Sequence, residues 1–113
     1  MRIAIKGRNV AVDDELRERA EKKFGKVAKQ VSSLAEMEIE LREERNPSIK
    51  DSQIAEITLH LKGVTLRSRD ASGSMAQAVN QAADEMARQV KRHREKRRGR
   101  RKSMKEQAGP ATP

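Results

Sequence analysis

The sequence has no cysteine, tryptophan or tyrosine, and Phe24 is its only aromatic residue. Without cysteine, disulfide frameworks and redox pairs are excluded, and two histidines far apart, His60 and His93, do not make a zinc finger. No apolar run approaches the roughly 18 residues of a membrane-spanning helix. These absences predict a soluble, cytoplasmic protein with no membrane partner.

Apolar residues are also scarce, because the hydrophobic set makes up 35% of the 113 residues and charged residues make up 38%. A chain of this length is long enough for one core and too short for two. We therefore expect a single, modestly stable domain with Ile, Val, Leu, Met and Ala packed around Phe24.

The positive charge is concentrated near the C-terminus. Of the 26 basic and 17 acidic residues, ten basic and one acidic residue lie within residues 88–102, so the rest of the chain holds 16 of each sign. A neutral body with a positive arm indicates a polyanionic partner.

Alternating apolar residues predict four strands. The first covers residues 1–6 before a turn at residues 7–9, and the second covers residues 35–42. Asn46 and Pro47 interrupt the alternation, which returns at residues 55–61. A two-residue hairpin turn at residues 62–63 then leads into a fourth strand from Val64.

Helical spacing of apolar residues predicts two helices. Helix one runs from about residue 13, with Asp13 as its N-cap, to about residue 30. Helix two begins near Ser74, where Ser74 and Gln77 have the spacing of a capping box, and its apolar stripe ends at Val90. We expect Gly99 to end this helix, so that residues 1–98 form the domain and residues 99–113 a basic, linker-like tail without fixed structure.

The predicted order is βαβββα, an α+β fold with one four-stranded sheet. Both helices should pack on the sheet face that carries Ile5, Ile39 and Ile57, while the other face stays solvated. A basic C-terminal extension follows the second helix.

Each helix carries candidate binding residues. On helix one the basic residues fall on one flank; they are Arg19, Lys22, Lys23, Lys26 and Lys29. The alternative for this flank is that its charges merely solvate the helix. On helix two three basic residues oppose the apolar stripe and four more point all round the helix; they are Arg88, Lys91, Arg92, Arg94, Lys96, Arg97 and Arg98. Like charges this close repel one another, which favours a polyanion over mere solvation for helix two.

Composition separates the possible polyanions. A membrane surface would require Trp, Phe or Leu beside the basic residues, and single-stranded RNA readers stack bases on aromatic residues. The exposed sheet positions are instead acidic, at Glu36, Glu38, Glu40 and Glu56, and should repel phosphate. Folded RNA or DNA, contacted by the helices mainly through phosphates, remains.

Catalytic chemistry is not indicated. The carboxylates of Glu36, Glu38 and Glu40 share an open strand face that lacks a pocket, and no phosphate-binding loop motif is present. We expect no enzyme activity, no cofactor and no metal.

Two segments resemble the ribosome hibernation promoting factors and ribosome-associated translation inhibitors. The first is residues 7–13 with Leu16, Arg17 and residues 23–27, and the second is Met75, Ala78 and Val79 with residues 87–89 and 91–96. The similarity extends over roughly residues 1–97. At Ser74 to Ala76, at Asn80 and at Gln30 and Val31 the chain departs from common family residues, which at Gln30 and Val31 are an aromatic pair; this last change predicts looser packing at the end of helix one.

The resemblance implies a βαβββα fold and binding to the small ribosomal subunit and its rRNA at the decoding region. It implies that the protein competes with mRNA and tRNA in the A and P sites and so inhibits translation under stress. Some relatives promote ribosome dimers through a further C-terminal domain, so the resemblance also implies an effect on ribosome dimers. The alternative is a structural RNA-binding or ribosomal protein with a basic arm.

Overall fold

Six elements follow one another along the chain in the predicted order. They are β1 (Arg2–Arg8), α1 (Asp14–Ala28), β2 (Glu36–Glu43), β3 (Gln53–Leu61), β4 (Val64–Ser72) and α2 (Met75–Ala108). The computed structural model describes the backbone of residues 2–44 and 50–108, and side chains in these ranges as far as Lys96. The expected break at Asn46 and Pro47 lies outside the described residues.

The strands form one sheet in the order β1-β2-β3-β4. β1 and β2 are parallel, with Ile5 opposite Ile39, and α1 supplies the crossover connection that parallel neighbours need. β2, β3 and β4 are antiparallel to one another in turn. The α+β fold predicted from the alternation is confirmed.

Turn residues account for two of the strand ends. Leu61 pairs with Val64 around the two-residue turn, and Gly63 takes φ 80°, a left-handed conformation that glycine adopts without a side-chain penalty. The turn predicted at residues 7–9 begins later, because β1 continues through Gly7 to Arg8 and Asn9 takes φ 59°. Position 7 requires glycine, because a Cβ there would lie 2.5 Å from the Val10 carbonyl oxygen.

The core lies between the helices and one sheet face, as predicted. The buried side chains come from both helices and from the central strands; the largest fully buried ones are Phe24, Met37, Ile39, Leu41, Ile57, Leu59, Met86, Val79 and Val90. Ile3 and Ile5 of β1 pack against this cluster while remaining partly exposed. Burial of aliphatic side chains around one phenylalanine therefore holds the helices to the sheet.

Both helices begin with side-chain caps. Asp13 accepts a hydrogen bond of 2.8 Å from the Leu16 amide, and the acidic residues Asp14 and Glu15 occupy the first turn of α1. At α2 the Gln77 amide donates to Ser74 Oγ at 3.4 Å, which is one half of the predicted capping box. In the other half of a capping box the Gln77 side chain would accept from the Ser74 amide. Here Gln77 Oε1 accepts a hydrogen bond from Ser72 Oγ at 2.7 Å instead.

The expected end of α2 at Gly99 is wrong, because the helix continues through Gly99 to Ala108. One glycine costs a helix about 1 kcal/mol, and the arginine, lysine, methionine, glutamate and glutamine residues around it are good helix formers. Val90 is buried, but none of the side chains of residues 91–96 is, so the helix leaves the body after Val90. Neither described helix has the apolar stretch that a membrane crossing would need.

Candidate nucleic-acid interface

The basic flank of α1 forms a shallow surface cavity of about 500 Å³. It brings together four of the predicted residues, Arg19, Lys22, Lys23 and Lys26, along with Glu15 and Glu18. The flank lies away from Ala20, Phe24 and Val27, the buried residues of the same helix. Lys29 is exposed but follows the last helical turn as its C-cap, so it is not part of this cavity.

The basic residues of α2 are arranged around a carboxylate. Glu85 lies 3.0 Å from Arg88 Nη2 and 3.3 Å from Arg92 Nη2. The hydrogen bond from Arg88 is the main reason that the pKa of Glu85 is lowered, with smaller contributions from the charges of Arg88 and Arg92 and a hydrogen bond from Gln89. One carboxylate thus holds two guanidinium groups side by side on the helix surface.

The two arginines remain available to a ligand. Their side chains are 65% and 66% exposed, so each can donate further hydrogen bonds to a phosphate oxygen while it contacts Glu85. Lys91, Arg94 and Lys96 are also exposed on the same helix. The side chains of Arg97 and Arg98 lie outside the described residues.

Sequence reasoning missed Glu85 and Gln89. The spacing of Glu85 from Arg88, three residues along a helix, is a signal that could have found the first contact. Gln89 Nε2 donates 2.6 Å to the backbone carbonyl of Arg67 on β4, a contact that sequence spacing cannot reveal. It joins α2 to an edge strand at the level where the basic residues begin.

The solvated sheet face carries more positive charge than its central strands suggest. Glu36 and Glu40 on β2 stand opposite Arg2 and Lys6 on β1, and Glu56 on β3 stands opposite Arg69 on β4. The expectation that this face repels phosphate considered only the acidic central strands. The sequence did not show that basic residues of both edge strands would flank them.

Arginine and histidine side chains contact the central carboxylates. Arg42 forms ion pairs with Glu40 at 3.6 Å and Glu56 at 3.4 Å, and His60 Nε2 lies within hydrogen-bond distance of Glu38 Oε2, at 3.3 Å. Opposite charges alternate across this face, whereas on the outer side of α2 basic residues predominate. Within residues 2–44 and 50–96, no group of three or more acidic or histidine side chains is arranged to hold a metal ion.

The fold and these surfaces define a small α+β domain with basic helices packed on one side of a mixed sheet. Residues 3–98 match the family model described as "Sigma 54 modulation protein / S30EA ribosomal protein". The chain belongs to this family.

A curated relative agrees with the family. The chain is 26% identical over 86 residues to the ribosome hibernation promotion factor of Picosynechococcus sp.; the match covers 75% of this chain and 45% of that protein. The chain therefore spans less than half the length of this curated relative.

Solved structures share the fold. The crystal structure of the Thermus thermophilus Protein Y N-terminal domain matches with a TM-score of 0.71 and 26% identity, covering 82% of this chain and 99% of that one. A ribosomal subunit interface protein from Coxiella burnetii matches with a TM-score of 0.70 and 22% identity, covering 83% and 98%, and at this identity it supports the fold alone.

Proposed function

We propose that this chain is a ribosome hibernation factor that binds rRNA of the small subunit through basic residues of its two helices. The binding residues are Lys22, Lys23, Lys26, Lys29, Arg88, Lys91, Arg92, Arg94, Lys96, Arg97 and Arg98. Residues 1–98 act as the ribosome-binding domain, and residues 99–113 add a basic tail. Family membership and the name of the curated relative support this assignment.

The observation that carries the proposal is the position of the charge. Cationic side chains line the outer flank of α1 and the exposed side of α2, while the buried side of each helix packs into the core. A ligand can therefore contact them without any rearrangement of the domain. Binding would draw its free energy mainly from release of counterions from RNA phosphates.

Inhibition then requires only occupation of space. In this proposal the helices lie in the decoding region, where they exclude mRNA and tRNA from the A and P sites. No bond is made or broken, so neither an enzyme activity nor a cofactor is involved. The protein acts in the cytoplasm on ribosomes that hold no mRNA, as expected under stress.

The order of addition tests this mechanism. Added to empty ribosomes, the protein should block later loading of initiator tRNA; added to ribosomes that already hold mRNA and peptidyl-tRNA, it should bind weakly. Sedimentation at near-physiological salt measures both, since that salt concentration suppresses nonspecific phosphate binding. Equal binding to empty and loaded ribosomes would contradict occlusion and would favour a structural ribosomal protein with a basic arm.

The same sedimentation profiles report ribosome dimers. Within this proposal the chain shifts the balance between single and paired ribosomes only as a consequence of binding. A dimer peak that grows with added protein, and is lost together with binding, would assign the effect to this chain.

A further inference from the structure

A groove lies where α2 leaves the body, next to the basic surface of α2. It has a volume of about 610 Å³ and is bounded by the segment that follows α1, the start of β2, the β3–β4 hairpin and the middle of α2. This volume is within the roughly 300–1,000 Å³ of small-molecule sites in proteins. Gln30 and Val31, which follow α1, line one side of it.

The walls of the groove are largely apolar. Val31, Leu61 and Val90 contribute to the lining, as does the imidazole ring of His93. Leu34 also lines it and is 89% exposed, the largest exposure of any large hydrophobic residue in the described part of the chain. An aliphatic side chain this exposed beside an apolar groove gains free energy if a ligand covers it.

The rim of the groove is positively charged. Lys62 on the hairpin and Arg94 on α2 line it and are exposed, while Glu36 is the single carboxylate among its described lining residues. Arg94 also belongs to the basic surface of α2. The groove is therefore continuous with the proposed phosphate-binding surface, and its basic rim and apolar walls favour an anion that has an apolar part.

We propose that this groove receives one unstacked nucleobase of an RNA, with the adjoining phosphates held by Lys62 and Arg94. The base would lie against Leu34 and Val31 and stack on the imidazole ring of His93. Histidine is one of the side chains on which proteins stack unpaired RNA bases. This inference rests on the proposed function, because it requires RNA as the partner. It adds recognition of an unpaired nucleotide to binding that is otherwise directed at phosphates.

Two RNA probes of equal length and phosphate count test the groove on the full chain. One is a perfectly paired hairpin, and the other carries a single bulged 2-aminopurine, whose fluorescence changes when it stacks. The wild-type protein should bind the bulged probe more tightly and alter its fluorescence. Base stacking of about 1–3 kcal/mol corresponds to a preference of roughly 5- to 150-fold.

Two variants change the groove without changing charge. Val31→Phe fills the groove. Leu34→Ala removes a side chain so exposed that its loss should not unfold the domain. Both should lose the preference for the bulged probe and the fluorescence change while they keep wild-type affinity for the paired hairpin. Arg88→Gln, outside the groove, is the control and should weaken both probes equally.

The outcomes separate the groove from the proposed function. Salt-dependent binding of both probes with equal affinity, unaffected by Val31→Phe and Leu34→Ala, overturns the groove alone. If the wild type binds neither the two probes nor empty ribosomes, the proposed function is overturned. Loss of ribosome binding in Leu34→Ala with both probe affinities unchanged would mean that a protein segment occupies the groove, and would also overturn the inference.

Discussion

The side-chain amide of Gln89 donates a 2.6 Å hydrogen bond to the backbone carbonyl of Arg67, which joins α2 to the edge strand β4. β4 is a sheet edge, so its outward carbonyl groups have no strand partner. Gln89 occupies one of them from the helix that carries the basic residues. This contact holds α2 against the sheet edge, in addition to the core packing of its buried side chains.

Gln89→Ala should lower the free energy of unfolding by about 0.5–1.5 kcal/mol, the net value of a typical hydrogen bond. Urea denaturation followed by circular dichroism measures this as a lower midpoint. Gln81→Ala, an exposed glutamine on the same helix, is the matched control and should change the midpoint little. An equal effect of both substitutions would mean that the Arg67 contact contributes nothing.

The stabilising contribution of the Glu85 carboxylate should be lost in acid. Arg88, Arg92 and Gln89 hold the pKa of Glu85 below its ordinary value of 4.5, so the charged form is favoured by folding. Its contribution is present above about pH 4.5, the unfolded value, and is lost as the pH falls through the lower, folded value. The difference in stability between wild type and Glu85→Gln should therefore shrink to zero in that direction.

Thermal melts from pH 3 to pH 7, on the order of one pH unit apart, are sufficient for this comparison. Asp84→Asn is the control, because Asp84 is exposed next to Glu85 and no described ion pair includes it. A difference that stays constant over the whole range would show that Glu85 acts by helix propensity instead of through its charge.

Neutralising Arg88, Lys91 and Arg92 together with glutamine should weaken ribosome binding without unfolding the domain. Each phosphate contact contributes about 0.7–0.9 to the salt slope, so three contacts lower the slope by about 2–3 and the affinity near 0.15 M salt by about 50- to 150-fold. Filter binding over a salt series measures both quantities, and circular dichroism tests the helix.

The solvated sheet face provides the matched control for this triple variant. Lys6, Arg67 and Arg69 carry the same total charge on that face, and their replacement by glutamine should reduce the slope much less. Equal losses from both triple variants would show that net charge, without any particular surface, determines the affinity.

Three glycines should respond to alanine in different directions. Gly63→Ala should destabilise the hairpin by about 1 kcal/mol because its φ of 80° suits glycine, and Gly7→Ala should cost more because its Cβ would meet the Val10 carbonyl. Gly25→Ala should instead stabilise α1 by about 0.4–1 kcal/mol, since no atom lies within 4 Å of the added Cβ. Denaturation midpoints compare the three, and a destabilising Gly25→Ala would contradict the open space seen there.

Local sequence patterns were sufficient for the elements and for the core. Strict alternation located Met37, Ile39 and Leu41 on the buried face of β2, and the cap at Asp13 located the start of α1. The same patterns failed at Gly99, where one helix breaker was weighed without the strong helix formers around it. Boundaries depend on sums over many residues, which a single marker does not represent.

The candidate site was predictable only where it lies within one element. The flank of Arg19, Lys22 and Lys26 follows from helical spacing alone. The basic edges of the sheet and the contact of Gln89 with Arg67 depend on which strands become neighbours. The groove beside Leu34 depends on four elements at once, and no short-range pattern encodes it.

Because α2 is continuous from Met75 to Ala108, its distal half has no hinge between it and the core. The helix extends 18 residues beyond Val90, or about 27 Å at 1.5 Å per residue. Packing of Val90 and Met86 in the core therefore sets the direction in which each residue of the projecting segment faces around the helix axis. A single residue inserted after Val90 would turn everything beyond it by about 100° while leaving its composition and charge the same.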